Sequence, residues 1–133
     1  MKKIVFLFWA SAALLWSASI PLEELLAKAK AENKVALVFV ETDFCPWCKR
    51  MKESTFTNVK VKAKLENELV VGYYNKDRDA LPSHLGARQV PTIHLVDGDG
   101  KILFTVVGYV PPGPFLKHIQ GAQEDLAERQ NGR

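Results

Sequence analysis

Two periodicities of apolar residues alternate along the chain. Between residues 22 and 29, leucine and alanine recur three or four positions apart, which predicts an amphipathic helix. Residues 35–40 are apolar without a polar break, which is typical of a strand buried on both faces of a sheet. The same patterns predict strands at 69–74, 92–96 and 101–107, helices at 47–53, 59–66 and 81–85, and a last helix that includes 115–126.

The order of these elements predicts the fold class. Helices separate the first two strands, which allows crossover connections, whereas Asp97-Gly98-Asp99-Gly100 joins the last two strands as a hairpin turn. We therefore expect an α/β domain in which a mixed central sheet of about four strands carries helices on both faces. The sequence has no internal repeat and no linker, which indicates a single domain over residues 20–133.

The first 19 residues have the pattern of a secretory signal peptide. Lys2 and Lys3 precede an apolar run at 4–15, and small residues at Ser17 and Ser19 fit a cleavage after Ser19. An uncleaved anchor is the alternative, but the run is short against the roughly 20 residues of a membrane-spanning helix. We expect residues 1–19 to be removed and the protein to be periplasmic or otherwise exported.

Charge excludes one class of partner. Cleavage would remove two of the 18 basic residues and none of the 15 acidic ones, so the formal charge would fall from +3 to +1. A nearly neutral domain gives no electrostatic argument for nucleic acid, and no nucleic-acid partner is expected. Trp47 would then be the single tryptophan of the mature protein.

The sequence contains only two cysteines, Cys45 and Cys48. A disulfide that closes so short a loop restricts the unfolded chain very little, so a stabilising role explains the pair poorly and a redox role explains it better. Half of a zinc site and an inert buried pair are the alternatives. Zinc would need ligands from His84, His94 and His118, whose spacing does not match a paired-ligand motif.

The cysteine pair belongs to a wider motif. A strand precedes Cys45-Pro46-Trp47-Cys48 at a helix start, Val90-Pro91-Thr92 opens the hairpin, and Gly108 follows it. This combination resembles the thioredoxin superfamily over residues 21–121. The segments 45–51 and 55–58 look most similar to small exported thioredoxin-like proteins and to the C-terminal thioredoxin-like domain of bacterial transmembrane disulfide reductases.

The resemblance implies the thioredoxin fold and a role for each motif residue. Cys45 would attack a disulfide and Cys48 would resolve the mixed disulfide. Pro91 would be a cis-proline facing the disulfide, and the backbone of Val90 would pair with an extended substrate. Substrate binding would also involve Trp47, Thr92 and Gly108. The resemblance implies no cofactor. Independently of it, a helix N-terminus favours a negatively charged sulfur at Cys45.

Two charged residues are candidates for a supporting role. Thioredoxins carry a buried aspartate six residues before the first cysteine, with a lysine partner on the next strand, and this chain has Phe39 and Tyr73 there. Glu41 is therefore the candidate proton acceptor for Cys48, with an exposed strand-end carboxylate as the alternative. Lys49 adds positive charge near the cysteines, or else belongs to a solvated basic face.

An apolar rim completes the predicted site. In the implied fold Phe44, Trp47, Val90, Pro91 and Tyr109 cluster around Cys45 and offer a surface for extended protein segments. Core packing is the alternative for Phe44 and Tyr109.

Together these features predict an exported thiol–disulfide oxidoreductase that reduces protein disulfides and is re-reduced by a membrane electron donor. A dithiol oxidant and a non-catalytic binding module remain alternatives, because the Pro-Trp dipeptide does not translate into a redox potential.

Overall fold

The computed structural model describes residues 20–132. The predicted signal peptide of residues 1–19 lies outside the described residues. The helices and strands follow in the order α1 (Leu22–Glu32), β1 (Val35–Glu41), α2 (Pro46–Arg50), α3 (Val59–Asn67), β2 (Leu69–Asn75), β3 (Thr92–Val96), β4 (Ile102–Val107) and α4 (Pro112–Asn131). The helical path of α2 continues as a π-helical turn at Met51–Thr55, and a 3₁₀ turn occupies Ser83–Leu85.

The four strands form one mixed sheet in the order β2-β1-β3-β4. Strand β1 runs parallel to β2 and antiparallel to β3, and β3 runs antiparallel to β4. Thr92 at the start of β3 lies opposite both Val40 near the end of β1 and Val107 at the end of β4. The segments that follow β1, precede β3 and follow β4 therefore meet at one end of the sheet.

Strand β1 separates two apolar cores, because its alternate side chains point to opposite faces. On one face Leu37 and Phe39 pack with the segment 46–67 and with α4. On the other face Val38 and Val40 pack with α1 and the 3₁₀ turn. All four side chains are fully buried. The predicted α/β architecture, a mixed four-stranded sheet with helices on both faces, is confirmed.

A tight hairpin turn closes the end of the sheet opposite the cysteines. The Asp97 carboxylate accepts hydrogen bonds from the backbone N–H groups of Asp99 and Lys101, both at 2.9 Å. Gly100 donates its N–H to the Asp97 carbonyl and has a φ of +81°, a conformation that glycine adopts without steric cost. The hairpin turn predicted at 97–100 is confirmed, and β4 begins one residue later than expected.

Two predicted helices differ from the observed ones. The segment 81–85 forms only the 3₁₀ turn, because Pro82 disfavours helical backbone at Leu81. The helix expected at 47–53 begins at Pro46 and changes to π-helical hydrogen bonding after Arg50, where the Phe56 N–H donates to the Met51 carbonyl at 3.0 Å. Met51 itself is fully buried and fills the core.

The histidines make contacts with neighbouring protein groups. The His94 ring is buried in β3 and contacts the Thr105 hydroxyl and the Gly86 carbonyl, each at 3.0 Å. His84 contacts the Gly100 carbonyl at 3.0 Å. Within residues 20–132, no three His, Cys, Asp or Glu side chains come together as a potential metal site. None of the helices in that range is long and apolar enough to cross a membrane.

Candidate active site at the cysteine pair

Cys45 and Cys48 form a disulfide at the start of α2, with their Cα atoms 5.2 Å apart. Cys45 occupies the N-cap position, and its Sγ accepts a hydrogen bond from the Cys48 N–H at 3.2 Å. Pro46 takes the first helical position, where a missing N–H breaks no helical hydrogen bond. Cys45 is partly exposed whereas Cys48 is 2% exposed, so Cys45 is the more accessible residue of the pair.

The loop before Cys45 is clamped to the end of β2. The Asp43 carboxylate accepts hydrogen bonds from the Asn75 amide at 3.2 Å and from the Arg78 guanidinium at 2.7 Å. Phe44 follows with a φ of +53° and a fully exposed ring. The structure therefore places Phe44 at the rim and not in the core. The role of Asp43 has no local signal in the sequence, because its partners lie more than 30 residues away.

A pocket of about 580 Å³ opens beside the disulfide. Both cysteines line it together with Glu41, Lys49 and Lys52. The Lys52 ammonium lies 3.0 Å from each carboxylate oxygen of Glu41. Glu41 is thus partly buried and ion-paired in the pocket that holds the cysteines, and the alternative of a merely exposed carboxylate is wrong. Glu41 could be singled out from the sequence, but its pairing with Lys52, one turn after Cys48, could not.

Phe39 and Tyr73 lie opposite each other in the sheet, as the sequence comparison with thioredoxins expected. Their rings are 5.5 Å apart, and the Lys52 ammonium lies about 6 Å from each ring centroid. Burial raises the pKa of Tyr73 above its usual value, and the nearby Glu41 carboxylate adds to the shift. Tyr73 therefore stays neutral beside the ion pair at neutral pH. Phe39 and Tyr73 therefore stand at the two positions matched to the aspartate–lysine pair of thioredoxins, with Lys52 close to both rings.

The other side of the cysteine pair is aromatic. The exposed Trp47 ring lies 5.9 Å from the ring of Tyr109, which belongs to the loop after β4. The Arg50 guanidinium carbon sits 5.5 Å from the Trp47 centroid and 5.3 Å from that of Tyr109. The Tyr109 hydroxyl contacts Ser54 Oγ at 3.3 Å. The hydrogen bond with Ser54 lowers the pKa of Tyr109.

The loop before β3 has the predicted cis peptide bond, between Val90 and Pro91. The Pro91 carbonyl accepts a hydrogen bond from the Gly108 N–H at 2.8 Å, and the Thr92 hydroxyl donates to the Gln89 carbonyl at 2.6 Å. Gly108 has a φ of +86°, a conformation that favours glycine. These contacts join the loop to the end of β4, at the sheet end that carries Cys45.

The predicted site residues thus gather at one end of the sheet. Val90 and Tyr109 are partly buried and pack against the same core as Cys45. Lys49 lines the pocket but is largely exposed, with its ammonium 3.8 Å from the Glu53 carboxylate. The sequence did not predict the contacts of Asp43, Arg50 and Lys52, because each joins side chains on different elements. The one local sign of these contacts was the run of basic residues after Cys48.

Known proteins are similar to this chain in sequence and in fold. The thiol:disulfide interchange protein DsbD of Yersinia pestis (strain Pestoides F) is 29% identical over 98 residues, which cover 69% of this chain and 16% of that protein. The chain thus matches about a sixth of this much longer relative.

Solved structures of low identity show the fold. A thioredoxin from Thermus thermophilus superposes with a TM-score of 0.62 at 24% identity, covering 75% of this chain and 82% of that one. The C-terminal domain of Neisseria meningitidis DsbD, in its oxidised form, superposes with a TM-score of 0.57 at 20% identity, covering 72% and 88%. These likenesses confirm the predicted thioredoxin fold.

A family model described as a thioredoxin-like domain matches residues 22–123, most of the chain. The matched range includes the cysteine pair, the cis-proline loop and all four strands. The chain belongs to the thioredoxin-like domain family, and it carries the disulfide-bonded Cys45-Pro46-Trp47-Cys48 motif.

Proposed function

We propose that this protein is an exported thiol–disulfide oxidoreductase that reduces disulfide bonds in other proteins. The asymmetry of the cysteine pair carries the proposal: a reachable Cys45 at a helix start is bonded to a buried Cys48. A nucleophilic thiolate needs access and electrostatic support, whereas a resolving thiol needs only to reach its neighbour. The relationship to DsbD, a thiol:disulfide interchange protein, supports the same chemistry.

The reaction follows from this asymmetry. In the reduced protein the Cys45 thiolate attacks a substrate disulfide, forms a mixed disulfide and releases one substrate thiol. The Cys48 thiolate then attacks the Cys45 sulfur, which closes the internal disulfide and releases the second thiol. Two electrons pass from the protein to the substrate. We propose that Glu41, which lines the same pocket, accepts the proton of Cys48.

The surroundings of Cys45 favour a reductant over a strong oxidant. Strong dithiol oxidants stabilise their reduced form, largely through the thiolate. Here the Cys45 sulfur accepts one hydrogen bond, from Cys48, among the contacts within residues 20–132. The nearby ammonium groups of Lys49 and Lys52 are balanced by carboxylates. Apart from Arg50, whose guanidinium lies against the rings of Trp47 and Tyr109, the charged side chains near Cys45 add little stabilisation of its thiolate, so we expect the dithiol to give up its electrons readily.

The rim of the site suits extended protein segments. Phe44 and Trp47 expose aromatic surface on either side of Cys45, and the backbone of Val90 precedes the cis bond on the neighbouring loop. An extended substrate would pair with the Val90 backbone as an added strand does, while the rings cover its side chains. Thr92 and Gly108 hold this loop in place. A membrane protein with a dithiol is the proposed electron donor.

A disulfide reduction assay tests the proposal. With dithiothreitol as the electron source, the wild type is expected to accelerate reduction of a protein disulfide such as that of insulin, and Cys45→Ser to lose the acceleration because no attacking thiolate remains. Circular dichroism of Cys45→Ser verifies that the variant is folded. Equal rates for the two proteins would contradict the proposed enzymatic activity and favour the alternative of a non-catalytic binding module.

The direction of electron flow needs a second measurement. Equilibration with glutathione, read by alkylation of the two cysteines, gives the redox potential. A value near that of thioredoxin, about −270 mV, supports a reductant, whereas a value near the about −120 mV of strongly oxidising periplasmic enzymes would make the protein a disulfide donor.

Export is tested separately by N-terminal sequencing of the protein from cell fractions. We expect Ile20 as the first residue in the exported fraction, and full-length chain confined to the cytoplasm would contradict it.

A further inference from the structure

The charged side chains around the cysteine pair are almost all neutralised by a neighbour. Glu41 pairs with Lys52, Lys49 lies 3.8 Å from Glu53, and Asp43 binds an arginine from the loop after β2. Each of these pairs places one positive and one negative charge close together. Their combined field at the disulfide is therefore small.

Arg50 is the exception. Among the charged residues from 41 to 53, Arg50 alone has no carboxylate within 4 Å in the described part of the chain. Its guanidinium instead lies against the rings of Trp47 and Tyr109, with the guanidinium carbon 5.5 Å and 5.3 Å from the two ring centroids. The face beside the disulfide therefore carries one uncompensated positive charge, and two rings fix its position.

The aromatic contacts prepare Arg50 for recognition. Exposed arginines usually lose binding energy to side-chain disorder, but contacts with two rings restrict this side chain before any ligand arrives. A guanidinium also has five N–H donors in a planar fork that fits a carboxylate through two parallel hydrogen bonds. Trp47 lies between the two cysteines, so a group bound at Arg50 is close to a substrate joined to Cys45.

We propose that Arg50 is a specificity-determining residue that binds a carboxylate next to the reacting half-cystine of the substrate. The proposal rests on the proposed function, since it concerns the substrate of the same cysteine pair. The preferred substrate is a peptide or protein disulfide with an aspartate or glutamate beside its cysteine. The bound carboxylate would hold the substrate sulfur over Cys45 while the Trp47 and Tyr109 rings contact its backbone.

Three peptide disulfides of equal length test the proposal, with Glu, Gln or Lys beside the cysteine. Their kcat/KM values are measured with the full-length protein and dithiothreitol, after subtraction of the uncatalysed rate. For the wild type we expect the Glu peptide to exceed the Gln peptide about threefold to fivefold, the upper range for an exposed ion pair. The Lys peptide should be the slowest, and added salt should shrink the differences by screening the charges.

Matched variants distinguish an effect of Arg50 itself from an effect of the overall charge of the protein. Arg50→Gln should bring the Glu-to-Gln ratio close to one, and Arg50→Glu should invert the order of the Glu and Lys peptides. Arg50→Lys keeps the charge without the fork and should retain part of the preference. Lys101→Gln removes the same charge from the hairpin turn at the opposite end of the sheet and should keep the wild-type ratio.

Each result has a distinct meaning. A wild type that reduces all three peptides equally would overturn the role of Arg50 while leaving the proposed function standing. A preference that survives in Arg50→Gln, or disappears equally in Lys101→Gln, would also overturn it. If the wild type reduces none of the peptides and no protein disulfide, the proposed function itself fails. Thermal unfolding of each variant verifies the fold, and the salt series on the wild type tests the charge effect without any substitution.

Discussion

The two ends of strand β3 differ in how their polar and apolar side chains are arranged. Where β3 ends, Asp97 is buried and its carboxylate binds two backbone N–H groups of the hairpin turn, so the turn satisfies its own polar groups. Where β3 begins, Phe44 and Trp47 expose their rings around a partly exposed Cys45. The arrangement at the hairpin end is explained by local stability, because the buried carboxylate and the two N–H groups satisfy one another. The arrangement at the cysteine end leaves apolar surface in water, which is typical of a site that meets another molecule.

This difference separates two kinds of substitution. Changes at the hairpin end are expected to alter the free energy of unfolding and leave the turnover of folded molecules unchanged. Changes at the cysteine end are expected to alter the turnover with little effect on stability. Single substitutions at the two ends can therefore test whether effects on stability and on turnover are separated in this way.

The largest effect is expected for Gly98→Ala at the hairpin end. A methyl group at Gly98 would lie 2.7 Å from the Cα and 2.8 Å from the N of Lys30 in α1, and backbone atoms cannot yield as a flexible side chain does. We expect a loss of about 2–3 kcal/mol in the free energy of unfolding, measured with denaturant. Gly113→Ala, with no atom within 4 Å of the new methyl group, is the control. A Gly98→Ala protein of normal stability but impaired turnover would contradict the expectation that the hairpin end affects stability and not turnover.

Glu41→Gln should give the next largest effect, at the cysteine end. The amide cannot accept the Cys48 proton and no longer balances the charge of Lys52, so we expect kcat to fall about tenfold, less than the roughly hundredfold or more that is typical of general acid–base catalysis. Stopped-flow kinetics of disulfide reduction measures the fall. Glu53→Gln removes a carboxylate from the π-helical turn that follows α2, outside the pocket, and should keep wild-type kcat. Equal kcat values for the two variants would exclude a catalytic role for Glu41.

A smaller effect is expected for Phe44→Ala. The ring is fully exposed, so its loss should change the free energy of unfolding by no more than about 0.5 kcal/mol. For a protein substrate we expect KM to rise about threefold, because the ring covers part of an extended segment. A small disulfide such as that of oxidised glutathione should react at the wild-type rate. A large loss of stability would instead show that Phe44 serves packing.

The smallest effect concerns pH and lies in the middle of β3. Burial lowers the pKa of His94 below its ordinary value of 6.5, although its hydrogen bond to the Gly86 carbonyl opposes the shift. Below pH 6.5 the unfolded chain therefore binds a proton more readily than the native state, and stability should fall as the pH drops from 7 through 6. Denaturant unfolding across this range measures the fall, and NMR titration identifies the residue. A His94 that titrates at or above 6.5 would contradict the prediction.

Much of the fold could be predicted because its signals are local. The apolar run of β1, the hairpin turn at 97–100 and the cysteine pair each depend on neighbouring residues, and the structure confirms all three. The resemblance to thioredoxins added the cis bond before Pro91, which is also present. Where a local conflict existed, as at Pro82, the expected helix shortened to a 3₁₀ turn.

The contacts that shape the site could not be predicted in the same way. The Glu41–Lys52 pair, the Asp43–Arg78 clamp and the packing of Arg50 against Tyr109 join residues 11 to 59 positions apart. Such pairings depend on how the elements pack, and a sequence pattern records only the elements themselves. The sequence allows Phe44 to lie either at the exposed rim or in the core, and its fully exposed ring shows that it lies at the rim.

The most direct test of the proposed roles, with Cys45 attacking the substrate and Cys48 resolving the mixed disulfide, is to trap the reaction intermediate. Reduced Cys45→Ser and Cys48→Ser variants are mixed with a peptide disulfide, the reactions are quenched with acid, and the masses of the products are measured by mass spectrometry. We expect Cys48→Ser to accumulate a mixed disulfide through the partly exposed Cys45, and Cys45→Ser to form almost none because Cys48 is buried. Equal trapping by both variants, or trapping by Cys45→Ser alone, would show that Cys45 is not the attacking residue.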